Sequence, residues 1–362
     1  MSTVPLPDDL RAALATRLHS TEPKRASAQV ERLIENYRGP TPTGAPVLRD
    51  AEDVTAYAAY RMPATYTAVR TALESLRRRA PKWTPGVHLD LGGGTGAATW
   101  AVADAWPAGD AATHASTVLD WSRAALALGG ELAVDAREPA VRDARWTLAP
   151  LSGAPELPES DLVTVSYVLG ELKPADRDAL VGAAAAAARG AVLIAEPGTP
   201  DGYARIIAAR DQLIAAGFRI LAPCPHDTAC PVTGKDWCHF AARVQRTSLH
   251  RQVKGGSLPY EDEKFSYLAA ARFPAEPVAG RVVRHPQIRK GLVLLDLCTR
   301  DDGLVRANVT KRQGERYRAA RDTDWGDAWP PDPGPDASPG PDAGSAAGSA
   351  AGPDAGSAQS QP

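Results

Sequence analysis

Apolar residues return every three or four positions through residues 8–80, in stretches such as ERLIENY (31–37) and AAYRMPATYTAVRTALESLRRR (58–79). That period lines one face of a helix, so the region is expected to be helical, broken at GPTPTGAP (39–46) and at Pro63. From Pro85 the texture changes. VHLDLGGGTGAATWAVADAW (87–106) reads as strand, glycine turn and helix, and STVLDWS, DLVTVSYVLGEL and AVLIAEPGTP read as further strands. Between them lie helical stretches, notably RDALVGAAAAAAR and YARIIAARDQLIAAG. Strands alternating with helices predict a parallel sheet covered on both faces, the doubly wound α/β architecture. Beyond residue 241 the pattern shortens into strand-like pieces such as GRVVRHP and KGLVLLDLC. From about Pro330 a Pro/Gly/Ala/Ser run offers nothing to bury and is expected to be disordered.

These changes of texture divide the 362 residues into a helical region (1–82), a doubly wound domain (83–222), a cysteine-bearing basic segment packed on it (223–329) and an acidic tail (330–362). No window approaches the ~18 apolar residues of a membrane span, and MSTVPLPDDLRAALA lacks the start and core of a secretion signal. A reducing cytoplasm is therefore expected, where thiols serve as metal ligands, catalytic groups or core fillers more often than as disulfides. The net charge of -2 hides an asymmetry: residues 241–321 hold 17 Lys and Arg against 8 Asp and Glu, while 322–362 hold seven Asp and no base. The basic stretch could meet a polyanion such as RNA, or could simply be a solvated face.

In LDLGGGTGAATW a strand ends at Asp90, and Gly92, Gly94 and Gly96 precede a helix near Ala97. Glycines let the backbone approach a ligand closely, and a helix N-terminus offers unpaired N–H groups. Gly92, Gly94 and Ala97 also satisfy the dinucleotide pattern G-x-G-x-x-A. Asp90 favours S-adenosylmethionine instead: a carboxylate there would oppose a pyrophosphate but could pair with an ammonium, directly or through water. Asp120, at the end of the next strand, suits ribose hydroxyls in either case. The set resembles the class I methyltransferase nucleotide site. No target-amine signature follows the fourth strand, where SYVLGEL stands, so Tyr167, Glu171 and Glu196 are candidate pocket residues that packing and capping would explain equally well.

All four cysteines follow the pattern C-x5-C-x7-C-x59-C: Cys224, Cys230, Cys238 and Cys298. Zinc sites usually pair ligands at C-x2-4-C, and these gaps are longer. An iron-sulfur cluster takes four thiolates at more variable spacing. Buried thiols without metal, zinc recruiting His226 or His239, and a cluster all remain open on spacing.

AYRMPATYTAVR, LDLGGGTGAATWA, YVLGEL, EPGTPDGYARIIAARD, CPHDTACP, DWCHFAARVQR, YEDEKFSYL and YRAARDTDWGD together resemble the methyltransferase-like protein seventeen family of the mitochondrial ribosomal small subunit and its bacterial relatives, over about residues 50–329. The resemblance implies a 4Fe-4S cluster on Cys224, Cys230, Cys238 and Cys298. It also implies action on the small ribosomal subunit through its rRNA, with S-adenosylmethionine-dependent methylation of RNA, a purely structural assembly role, or a small-molecule methyltransferase with structural zinc as alternatives. The Ala, Gly, Pro and Arg bias suggests a GC-rich bacterial genome, and the Arg/Ser-rich presequence of mitochondrial members is not expected here.

Overall fold

The computed structural model describes residues 4–19, 50–108, 114–153, 155–246, 258–275 and 278–331. ERLIENY, GPTPTGAP, part of the basic segment and the tail beyond 331 lie outside the described residues. Val87–Leu91 (β1), Ala115–Asp120 (β2), Arg145–Leu148 (β3), Ser160–Ser166 (β4) and Ala188–Pro197 (β5) run parallel in the order β3-β2-β1-β4-β5. The sheet continues through Tyr260–Ala271 (β8), antiparallel to β5, and Arg219–Ala222 (β6), antiparallel to β8. Phe240–Gln245 (β7) pairs with the other half of β8. This doubly wound sheet, with an inverted strand near one edge, is the class I methyltransferase-type fold expected from the sequence. Strand order reverses between β1 and β4, and the crevice above their carboxyl ends is where open α/β sheets take ligands.

The expected boundary at residue 222 does not close the sheet, because β8 belongs to the segment assigned to 223–329. Its side chains alternate between faces as a central strand requires: Phe265, Tyr267 and Ala269 join one apolar cluster, Leu268 and Ala270 the other. The first cluster packs beneath Met62–Arg79 (α3) and Ala97–Ala105 (α4), which contribute Tyr66, Leu73 and Trp100. The second packs beneath Pro174–Ala187 (α7) and Pro200–Ala215 (α8), which contribute Leu180 and Leu213.

The N-terminal region gives Asp8–His19 (α1) and Ala51–Tyr60 (α2) before α3. Asp50 caps α2, its carboxylate accepting the Asp53 N–H at 2.8 Å. The break expected at Pro63 becomes the first turn of α3, where a proline's missing N–H leaves no bond unmade. Arg123–Ala133 (α5) and the single turn Pro139–Arg142 (α6) flank β2 and β3. A second, antiparallel sheet holds Gly280–Val282 (β9), Gln287–Arg289 (β10), Leu292–Thr299 (β11) and Gly303–Thr310 (β12). Val282, Val293, Leu295, Val309 and Trp329 form its core with Ala320 of Glu315–Asp322 (α9).

Candidate functional site

The glycine turn sits at the carboxyl end of β1, as expected. Gly94 and Gly96 hold φ of +55° and +82°, and a Cβ on Gly96 would fall 2.6 Å from the Trp146 ring, so this position takes no side chain. Gly92 is likewise closed, with Val168 2.6 Å from any added Cβ. Asp120 lies beside the turn: its Oδ2 accepts the Gly94 N–H at 2.9 Å and its Oδ1 the Ser122 N–H at 2.7 Å. Burial raises its carboxyl to about 6. Asp90 is fully buried, and its oxygens accept from the Thr164 hydroxyl (2.8 Å) and the Thr99 hydroxyl (3.0 Å). It too is raised to about 6, chiefly by burial. With no exposed surface, the carboxylate braces the turn from beneath. The Thr95 hydroxyl, in the turn itself, is buried with no hydrogen-bond partner.

Tyr167 follows β4 on the crevice wall and, at φ 59°, is alone among the described non-glycine residues in left-handed backbone. Such strain costs of order 1–3 kcal/mol and persists only where neighbours impose it. Here its N–H donates to the Ala195 carbonyl (2.8 Å) and its hydroxyl to Glu263 of β8 (3.0 Å). Arg61, between α2 and α3, grips the same Glu263 through two bonds of 2.8 and 3.0 Å. Glu171 ends the 3-10 turn Leu169–Glu171 and, with Asp120, acts electrostatically on Tyr57 of α2. Glu196 is fully buried; it accepts the Leu169 N–H (3.1 Å) and the Arg205 Nε–H (2.6 Å). That is the capping role, not a pocket role.

The four cysteines, drawn from two places in the chain, line one cavity of about 30 Å³. Cys224 follows β6, Cys230 and Cys238 lie in the loop from β6 to β7, and Cys298 is on β11 of the second sheet. All four are free thiols. The loop is fastened by the Trp237 indole donating to the Gly198 carbonyl (2.9 Å) and by Arg284 on both oxygens of Asp236 (2.6 Å each). Burial raises the Cys224 thiol and lifts Cys238 well above the ordinary value, with neighbouring cysteines adding to the effect. Burial likewise raises Cys298 to about 12. The Tyr203 hydroxyl lies 3.1 Å from Cys230 Sγ. His226 Nε2 lies 3.6 Å from Cys298 Sγ, while the ring of His239 stacks on Trp237. Among the described residues no three His, Cys, Asp or Glu side chains gather tightly enough for a single metal ion.

Sequence reasoning missed Arg210 and Arg281, which also line the cavity. For Arg210 a signal existed: it occupies the same helical stripe as the buried Ile206 and Leu213, where an arginine is out of place unless something inside needs it. Glu263 and Arg61 gave no local sign, since their meeting depends on the placement of β8.

A family profile described as mitochondrial small ribosomal subunit Rsm22 matches residues 51–330. The chain is 29% identical over 293 residues to the human mitochondrial ribosome assembly protein METTL17, covering 76% of this chain and 62% of that protein. It is 26% identical over 184 residues to Rsm22-cox11 tandem protein 2, mitochondrial, of Schizosaccharomyces pombe, covering 39% of this chain and 24% of the relative. The chain thus spans less than two thirds of the length of either relative. Among solved structures, magnesium protoporphyrin IX methyltransferase of Synechocystis with bound SAH aligns at a TM-score of 0.39 and 14% identity, over 74% of this chain and 100% of that one.

Proposed function

The chain belongs to the Rsm22 family of mitochondrial small ribosomal subunit proteins, and from that membership we propose that it binds small-subunit rRNA and serves ribosome assembly, carrying S-adenosylmethionine and a 4Fe-4S cluster. The observation that carries the reading is the convergence of Cys224, Cys230, Cys238 and Cys298 on one cavity. Four thiols on one cavity match the four thiolates that a cluster takes; zinc, with sulfurs about 2.3 Å from the metal, is the alternative. When bound, the cluster would supply a four-point cross-link between the β6–β7 loop and the second sheet. The chain's own part is to bring the four thiols to one place, Cys298 buried and the other three half-buried.

S-adenosylmethionine would lie over the glycine turn, with Asp120 toward the ribose, the Thr95 hydroxyl as an unused polar group and Asp90 as a brace. A purely structural assembly role is the second reading. It is favoured by Asp90 having no exposed surface with which to meet a ligand. For RNA, the exposed Arg289 and Lys290 at the β10–β11 turn sit beside the exposed Lys311 and Arg312 after β12, the Lys311 N–H bonding the Gly291 carbonyl at 2.9 Å. That cluster of positive charge could neutralise adjacent phosphates.

Anaerobic purification with metal analysis tests the central point. A brown protein with about four irons and four labile sulfides is expected; a colourless one carrying a single zinc overturns the reading. Small-subunit binding should weaken steeply with salt, and the double variant Lys290→Glu/Lys311→Glu should lose roughly tenfold or more in affinity. Calorimetry with S-adenosylmethionine separates the two readings, because the structural role requires no uptake of heat or ligand by wild type or by Asp120→Ala.

A further inference from the structure

Two guanidinium groups line the cysteine cavity. Arg210, on α8, is 1% exposed; its Nη2 donates to the carbonyls of His226 (2.9 Å) and Thr228 (2.7 Å), and its Nε has no partner. Among the described residues its only carboxylate contact is Asp211 at 3.4 Å, an acid that is 68% exposed. Arg281, on β9, is 5% exposed and stands opposite Cys298 in the β9–β11 register. Its Nε donates to the Pro223 carbonyl (3.0 Å) and its Nη1 to the Gly326 carbonyl (2.8 Å), while Nη2 has no partner. No carboxylate among the described residues pairs with Arg281.

A buried cation without a counter-charge costs several kcal/mol. Keeping two of them on one cavity, each with an unused N–H, requires an anion there. The apolar lining from Ile206, Val232 and Phe240 offers none.

We propose that Arg210 and Arg281 are the counter-charge of the cluster. Four thiolates on a dicationic 4Fe-4S core leave a dianion, which the two guanidiniums balance, their unpartnered N–H groups donating to its sulfurs. The Tyr203 hydroxyl, 3.1 Å from Cys230 Sγ, adds a neutral donor to the same shell. Net charge and hydrogen bonds to sulfur set a cluster's potential. The arginines are thus positioning residues that ease acceptance of an electron and hold the group in an otherwise apolar site. This inference rests on the cluster reading above.

The test uses the full chain purified anaerobically, with iron and sulfide analysis followed by a redox titration read by electron paramagnetic resonance. Against wild type, Arg210→Met and Arg281→Met should each shift the one-electron reduction equilibrium at least tenfold toward the oxidised form, about 59 mV. Arg210→Lys and Arg281→Lys should stay within about threefold of wild type. Tyr203→Phe, which removes one O–H from a half-buried ring, should shift the equilibrium the same way by less. If the methionine variants fail to load iron, the lysine variants decide: loading with the wild-type potential upholds the charge role, and failure to load overturns it. Methionine variants with wild-type iron content and potential also overturn it. A wild type without iron and sulfide would instead sink the cluster reading itself, a result distinct from any of these.

Discussion

Asp90 carries the sharpest consequence of burial. Its folded value is raised from 3.8 to about 6. A carboxyl shifted this way stabilises the fold fully only below 3.8, and that contribution is lost as pH climbs through about 6. Asn mimics the protonated form. Asp90→Asn should therefore gain on wild type by about 2.5 kcal/mol between pH 4 and pH 8, taking about 1.4 kcal/mol per unit, with Asp120's charge acting in the same direction. Thermal melts of both proteins across that range would show it; a constant difference would refute it. The position of Asp90, Gly94 and Asp120 around one turn was legible in LDLGGGTG and TVLDWS, because a left-handed turn favours glycine and the carboxyl ends of adjacent parallel strands lie side by side. What the letters do not carry is where the carboxylate points. Thr99 and Thr164, nine and seventy-four residues away, take up both its oxygens.

Between elements, the Glu196–Arg205 pair joins β5, α8 and the turn after β4. Glu196 has no exposed surface, so removing Arg205 strands a buried carboxylate. Arg205→Ala should lose about 3 kcal/mol in denaturant unfolding. Glu196→Gln, which still accepts the Leu169 N–H, should lose about 1 kcal/mol; equal losses would mean the ion pair contributes nothing beyond the cap. The parallel strands could be read from their apolar runs, since both faces of such a sheet are covered. β8 could not be placed that way. YEDEK begins it with charge that matches an edge, and only the later FSYLAAA behaves as a central strand, so its insertion between β5 and β6 is fixed by pairing with segments distant in sequence.

On the scale of the whole molecule, Arg61, Glu263 and Tyr167 join the N-terminal helices to two strands of the sheet over the crevice. Both ionic partners are largely buried, 16% and 12% exposed at the side chain. A double-mutant cycle with Arg61→Met and Glu263→Gln should give a coupling of about 2 kcal/mol, and a coupling near zero would show that this ion pair does nothing to hold the helices to the sheet. The same strand also fixes an order of events. During synthesis β5 and β6 are complete long before Ala271 leaves the ribosome, yet until then β5 has only β4 beside it and β6 has no partner strand. The edge of the nascent sheet stays open while all three loop cysteines emerge, and Cys298 comes only after β8 has closed it. A metal-loading factor working on the growing chain would thus meet three exposed thiols first. The fourth arrives as the last piece of a site whose walls are already standing.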